Sequence, residues 1–384
     1  MGEILKIAVI SDLHCTQRDI PRGKFTNLHT TMPSKPSNRN PIEAFRKLLE
    51  NETIEADILL CPGDITDQIN EQGFHTGWSY LEEMGKYLKV KNIYATLGNH
   101  DVASRLEKPN EAFKIAQSLK YNFPLPESEQ QIKFWGENFT LIETDEFRLL
   151  IYNTVHDHYN SETSKKINID LATIEKIDDL LKKTKPEKFG IAMTHHHPIN
   201  HCNSNLSDSD FIDKGDNLLK VLNRHSFKLF IHGHKHEPML RVSNGIPILS
   251  SGSFSCLENL KETESENLFH IIEIHEKKGI IKSWEYGPVN GWHQKQSNTS
   301  FPNLTGFGFF GTVEKLASEI NSWLSKKASS SGNLKMLCKD IPDIYHINPE
   351  EQKKLEKILK TEYSIEITPG IFFGDRATIN TIYE

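Results

Sequence analysis

Five short apolar runs in this chain stop abruptly at a carboxylate, an amide or a cluster of imidazoles, and this pattern limits the fold more than any other feature. Ile4–Ile10 runs into Ser11-Asp12-Leu13-His14, Ala56–Cys61 into Pro62-Gly63-Asp64, and Ile93–Leu97 into Gly98-Asn99-His100-Asp101. Phe189–Met193 runs into Thr194-His195-His196-His197-Pro198, and Lys228–Ile231 into His232-Gly233-His234-Lys235-His236. Short apolar runs bounded by turn formers read as buried strands. Between them lies helical periodicity. Asn40-Pro41 opens a helix with Ala44 and Leu48 on one face, a second spans about 72–88, a third follows Leu171, Ile174, Ile177 and Leu181, and a fourth lies near 214–224. Phe139–Glu143 and Arg148–Tyr152 pair as strands, and 238–286 reads as successive strands turning at Gly245 and Gly279. Alternating strands and helices predict an α/β layered domain with a mixed sheet. Sites in open α/β sheets form outside the carboxyl ends of strands. The five polar clusters are therefore expected to meet in space.

Histidine is the residue in excess: 18 of 384, against five cysteines. It is the commonest metal ligand and a frequent acid–base group. The net charge of −7 argues against a chain that coats nucleic acid or anionic membrane. A mean hydropathy of −0.51 and the lack of a long apolar run exclude a spanning helix. The start, MGEILKIAVISDLH, lacks the features of a secretory signal, and Lys6 stands where myristoylation needs Ser or Thr. An odd number of cysteines without CxxC spacing points to a reducing cytoplasm, with Cys15, Cys61 and Cys202 as packing residues.

Residues two apart in a strand-end loop can aim at one point, so Asp12/His14 and His234/His236 are natural ligand pairs. Nitrogen and oxygen donors without thiolates favour Mn, Fe, Zn, Co or Ni over Ca or a structural thiolate zinc. Each cluster alone is weak: Asp-x-His is common, and Gly-Asp and Gly-Asn are ordinary turns. Their weight comes from occurring in series, each after a strand.

The series D-x-H, G-D, G-N-H-D, H and G-H-x-H, all within residues 12–236, resembles the calcineurin-like metallophosphoesterases over about residues 4–286. The resemblance implies an α/β four-layer β-sandwich of two mixed sheets flanked by helices. It implies two divalent metal ions, Mn, Fe or Zn with Mn favoured. One would be held by Asp12, His14, Asp64 and His236, the other by Asp64, Asn99, His196 and His234, with Asp64 bridging. His196 is chosen because the family ligand stands two residues before proline. His195 is then left without a role, and His197 faces substrate. His100 matches the histidine that contacts phosphate and protonates the leaving group, and Asp101 would orient it. The implied reaction is phosphate-ester hydrolysis by a bridging hydroxide, with small phosphodiesters such as cyclic nucleotides as first expectation. A phosphomonoesterase or protein phosphatase is the alternative, disfavoured because no paired arginines flank the Asn-His motif. A DNA nuclease is disfavoured by charge. A binding or scaffold protein on the same fold is disfavoured by the intact ligand set.

Other residues have plainer readings. Phe74, Trp78 and Tyr80 belong to a helix core. His232 is a strand end, His156 and His158 lie in a solvated loop, and Asp67 is balanced between supporting the site and making a turn. The polar stretch 15–40 is a candidate substrate lid. Residues 1–286 form the metallophosphoesterase domain. Residues 287–304, rich in Gly, Asn, Ser and Pro, are a linker. Residues 305–384 are a small α+β appendage with helices Val313–Leu324 and near 349–361 and β-like segments Tyr363–Ile367 and Thr378–Tyr383. The appendage has no basic footprint for nucleic acid. Partner contact, oligomerisation or substrate selection are its candidate roles.

Overall fold

The computed structural model describes residues 4–17, 26, 28–31, 38–103, 111–119, 122–201, 210–257, 267–294, 301–327, 331–371 and 377–382. In chain order these form β1 (Leu5–Val9), α1 (Pro41–Asn51), β2 (Ile58–Cys61), α2 (Glu71–Tyr87), β3 (Asn92–Ala95), α3 (Lys114–Ser118), α4 (Ser128–Glu137), β4 (Phe139–Glu143), β5 (Phe147–Tyr152), α5 (Leu171–Leu181), β6 (Phe189–Met193), α6 (Gly215–Arg224), β7 (Phe227–His232), β8 (Met239–Ser243) and β9 (Ile246–Ser250). Then follow β10 (Asn267–His275), β11 (Lys278–Gly287), β12 (Gly291–Gln294), β13 (Leu304–Phe307), α7 (Val313–Ser325), β14 (Ser331–Asn333), α8 (Leu334–Asp340), α9 (Pro349–Tyr363), β15 (Ile365–Thr368) and β16 (Thr378–Thr381).

The helices begin where their caps dictate. The Asn40 side chain accepts from the backbone N–H groups of Ile42 and Glu43, and Pro41 needs no donor at the first position. Asn70 caps α2 through Gly73 N–H.

Among the described residues, two mixed sheets dominate. One has the order β12-β11-β10-β1-β2-β3, with β13 on β11; the other runs β4-β5-β6-β7-β9-β8. β1, β2 and β3 are parallel, as are β5, β6, β7 and β9, while β4 and β8 are antiparallel edges. Strand alternation divides the side chains between two faces. Ala8, Leu59, Cys61 and Ala95 turn to a cluster with Phe45, Leu48, Trp78 and Leu81 of α1 and α2. Leu150, Ala192 and Phe230 turn to a second cluster with Ile174, Ile177 and Leu222 of α5 and α6. The alternate residues Val9, Leu60, Leu149, Ile191 and Leu229 are buried on the opposite faces, where the sheets meet: Tyr94 and Phe147 touch ring to ring, and Thr96 Oγ1 donates to Tyr152 O. This is the layered sandwich expected from the sequence.

Two compact units can be distinguished. The larger comprises Leu5–Ile271 and Trp284–His293. The smaller comprises Met1–Ile4, Ile272–Ser283 and Gln294–Glu384, so β10 and β11 pass from one unit into the other. In the smaller unit the antiparallel sheet β14-β16-β15 and helices α7, α8 and α9 enclose Leu316, Ile320, Leu337, Leu355, Leu359, Ile365 and Ile379. The 287–304 stretch, expected as a linker, contains β12, whose Trp292 is buried against Phe45, Phe254 and Phe269. In the 15–40 stretch, Thr16 and Leu28 are fully buried and Thr26 is hydrogen-bonded to Ser255, so these parts are tied into the core. The rest of the expected lid, at 18–25, 27 and 32–37, and Cys202 lie outside the described residues. Phe74, Trp78 and Tyr80 are core residues as read. No helix among the described residues is long and apolar enough to cross a membrane.

Phe269 stacks on Trp284 at 5.0 Å and meets Phe45 and Trp292 edge-on. Phe269→Ala should destabilise the larger unit by about 3–5 kcal/mol, read as an earlier denaturant midpoint in tryptophan fluorescence.

Candidate metal centre

The ligand-bearing loops leave their strands through backbone that few side chains adopt. Asp12, His14, Asp64, His234 and His236 all have positive φ, at 53°, 46°, 52°, 81° and 57°. Asp, Asn and His tolerate the left-handed region better than most residues. A kink there turns side chains two apart toward one point instead of spreading them along a strand. Two glycines permit the close approach. A Cβ on Gly98 would stand 2.1 Å from Asp64 Oδ1, and one on Gly233 would stand 2.3 Å from Asp12 Oδ2.

Asp12, His14, Asp64 and His236 present donor atoms all within 4.8 Å of one another, and all four residues are buried. His14 Nε2 and His236 Nε2 face each other at 3.0 Å. His236 Nε2 is 3.4 Å from Asp12 Oδ1, and His14 Nε2 is 3.6 Å from Asp64 Oδ2. Burial presses the His14 imidazole below its ordinary pKa. His236 is lifted well above it, its burial outweighed by Cys256 and Asp12.

A second group also converges on Asp64. Asn99 Oδ1 lies 3.0 Å from both His195 Nε2 and His234 Nδ1, and His195 Nε2 is 3.4 Å from Asp64 Oδ2. The imidazole nearest Asp64 and Asn99 is His195; the expected His196 bonds Thr154 Oγ1 through Nδ1 at 2.8 Å and also offers a donor atom within 4.8 Å of those of His195 and His234. The reason is register. Met193 pairs with Ile231, and Gly233 N–H donates to His195 O at 3.0 Å, which sets His195 beside His234. Counting from the strand end, instead of back from proline, picks out His195.

The chemistry of these donors fits a cation. His195 Nδ1 donates to Pro62 O at 2.8 Å. Its Nε2 lone pair, in the neutral ring, would face only the oxygen lone pairs of Asn99 and Asp64. That place calls for positive charge, from a proton or from a metal ion. Burial alone would lower the His195 pKa, but the Asp64 carboxylate lifts it to about 9. Burial likewise opposes ionisation of Asp64, and His195, His100 and His14 nevertheless hold it well below the usual carboxylate range.

His100 stands at the outer edge, about a quarter exposed at 24%. Its backbone N–H donates to Asp64 Oδ1 at 2.8 Å, and its Nδ1 meets Asp67 Oδ1 at 3.2 Å. Asp67 is therefore the carboxylate on His100, and it also approaches His14 Nδ1 at 3.8 Å. Asp101, expected in that role, is turned elsewhere. It accepts from Thr66 N–H and Gly98 N–H, both at 2.9 Å, and so braces the two loops that carry Asp64 and Asn99. Burial and the neighbouring Asp64 push the Asp101 carboxyl up to about 7. The Gly-Asp-x-x-Asp spacing was the signal for Asp67.

His158, His197, His201 and His232 are buried beside the site. His158 is 1% exposed, not solvated as read, and its ring lies 5.6 Å from that of His196. His232 ends β7 as expected and bonds His201 at 2.7 Å. Burial depresses His158 and His197 to about 4 each, so both are neutral at pH 7. Cys15 and Cys61 are buried packing residues whose thiols are pushed far up by desolvation.

A model of the calcineurin-like phosphoesterases matches residues 5–238. The chain belongs to that family. No curated protein matches it in sequence. Several solved structures are similar in part. Vacuolar protein sorting 29 of Cryptosporidium parvum is 14% identical, with 79% of this chain and 98% of that chain covered and a TM-score of 0.35. A putative 5′-nucleotidase of Staphylococcus aureus is 10% identical, with 71% and 51% covered and a TM-score of 0.41. GAP50, the anchor in the inner membrane complex of Plasmodium, is 12% identical, with 77% and 90% covered and a TM-score of 0.40. The matched family region holds every donor described above.

Gly98→Ala tests the cradle. The added methyl would meet both the Asp64 carboxylate and the Asp64 backbone nitrogen, at 2.1 and 2.5 Å, so the loop that presents Asp64 must shift and the variant should lose divalent-metal binding, seen as no metal heat by calorimetry.

Proposed function

We propose that this family member is a dinuclear metal-dependent phosphoesterase that hydrolyses small phosphodiesters, cyclic nucleotides among them. One observation carries the reading: two sets of donors, the buried Asp12–His14–His236 and the partly buried Asn99–His195–His234, converge on the single carboxylate of Asp64. We assign the first metal to Asp12, His14, Asp64 and His236, and the second to Asp64, Asn99, His195 and His234. Two divalent cations, Mn favoured over Fe or Zn, would supply Lewis-acid charge to phosphoryl oxygens and lower the pKa of water.

The side chains divide the remaining work. Asp67 holds His100 through Nδ1 and leaves Nε2 to carry the proton for the leaving-group oxygen. Burial opposes the charged His100, but Asp64 and Asp67 raise its pKa above the ordinary value. His158 and His197, held neutral, add no positive charge for a dianionic monoester, which favours the singly charged diester. Every residue assigned to the site belongs to the larger unit, in keeping with an accessory role for residues 305–384 in substrate or partner selection. The buried free thiols of Cys15, Cys61, Cys256 and Cys338 suit a reducing cytoplasm.

With Mn²⁺ added, bis-p-nitrophenyl phosphate should be hydrolysed faster than p-nitrophenyl phosphate. Inactivity on both with two metals bound would replace this reading by a binding protein on the fold. In calorimetry, His195→Asn should bind one Mn²⁺ fewer than the wild type, while His196→Asn should keep two; the reverse would restore the proline-counted assignment.

A pH profile tests the proton donor. His100 acts in its charged form, so activity should be lost as pH rises through its raised pKa. Asp67→Asn removes a group that favours that form, lowers the pKa and should move the alkaline limb to lower pH. An unmoved limb would exclude the Asp67–His100 pair.

A further inference from the structure

His234 turns Nδ1 inward, 3.0 Å from Asn99 Oδ1. Its other nitrogen, Nε2, is buried and has no hydrogen-bond partner. A carboxylate lies just beyond bonding reach: Asp210 Oδ2 is 3.8 Å from that Nε2. The same oxygen is ion-paired with Lys235, whose side chain is only 8% exposed. Asp210 is followed at once by anchored backbone. Ile212 N–H donates to His197 O at 2.9 Å, and Asp213 N–H donates to Ile167 O at 2.7 Å. The carboxylate is therefore held beside His234 from two directions.

An imidazole that gives its Nδ1 lone pair to a cation must carry its hydrogen on Nε2. The cation then makes that N–H a stronger donor, and metal-bound histidines regularly present it to a carboxylate, a carbonyl or water. We propose that Asp210 is a positioning residue for the second metal. It takes the Nε2–H of His234 when Nδ1 binds the cation, fixing the tautomer and the ring angle, while the anchored backbone after Asp210 suffices to keep the carboxylate within reach. The inference rests on the assignment of His234 Nδ1 to that metal. Nothing in the spacing of the chain pointed to it, because Asp210 precedes His234 on a separate connection between β6 and α6.

A purely structural ion pair between Asp210 and Lys235 makes a different prediction. Breaking it from either side should then have the same effect. If Asp210 positions His234, Asp210→Asn should weaken binding of the second Mn²⁺ by about 10–100-fold and leave the first unchanged. Asp210→Glu should restore part of the loss, and Lys235→Met should retain both metals. Simple removal of negative charge is separated by a direct signal. In the Zn²⁺-loaded, ¹⁵N-histidine-labelled full chain, the wild type and Lys235→Met should show an exchange-protected His234 Nε2–H resonance that Asp210→Asn lacks. Equal losses in Asp210→Asn and Lys235→Met, an unweakened second site in Asp210→Asn, or no protected resonance in the wild type would overturn the proposal. If Asp210→Asn does not fold, loss of the second metal in Lys235→Met overturns it alone. A wild type that binds a single Mn²⁺ would instead remove the assignment beneath it.

Discussion

The carboxylate of Asp64 is the point on which the rest depends. It is 1% exposed, yet it is held ionised. A buried charge is tolerated only when opposite charge and hydrogen bonds compensate it. His100 N–H takes one oxygen, while His14 and His195 crowd the other. Those three residues arrive from β3, β1 and β6, so one side chain ties the ends of both large sheets together. The left-handed kinks at Asp12, His14, His234 and His236 follow from the same demand, since each brings a donor inward toward that centre. Such conformations cost of order 1–3 kcal/mol each and persist only where the surroundings enforce them.

Two buried acids a few residues apart in space show how environment divides labour. Asp64 is surrounded by imidazoles and stays charged. Asp101, packed against Asp64 and bonded only to backbone N–H groups, is pushed toward the neutral form. One carboxylate is left to meet cations and the other to hold the loops that present it. Asp67, nearer the rim, serves His100.

Much of this was legible in the chain. The five apolar runs correspond to β1, β2, β3, β6 and β7, and the polar residues after each do converge, because parallel neighbouring strands place their carboxyl ends on one edge. What was not legible depends on pairing between distant segments. Which of His195 and His196 stands nearer Asp64 depends on the β6–β7 register, which the distance to the following proline does not report. Asp101 sits beside His100 in sequence, but adjacent side chains leave a turn in different directions, and Asp67 reaches the ring instead. His158 looked solvated because its loop is polar, and only the packing of the neighbouring histidines shows it buried. β12 and α8 lie in segments whose composition resembles linker or short polar surface. Their apolar members, Trp292, Leu334 and Leu337, acquire meaning only against partners elsewhere.

The bond from His234 N–H to Asp12 Oδ1, at 3.0 Å, joins residues 222 positions apart. A contact of that span forms late, after most of the chain has been brought to order. No short segment of the sequence could assemble the cation-binding cradle by itself. During synthesis on the ribosome, a growing chain that ends before the β7 loop would offer solvent only isolated, weak ligands. Divalent ions would thus be taken up by finished molecules and largely ignored by partial ones. Under the proposed assignment, metal retention would mark copies folded at least through the β7 loop.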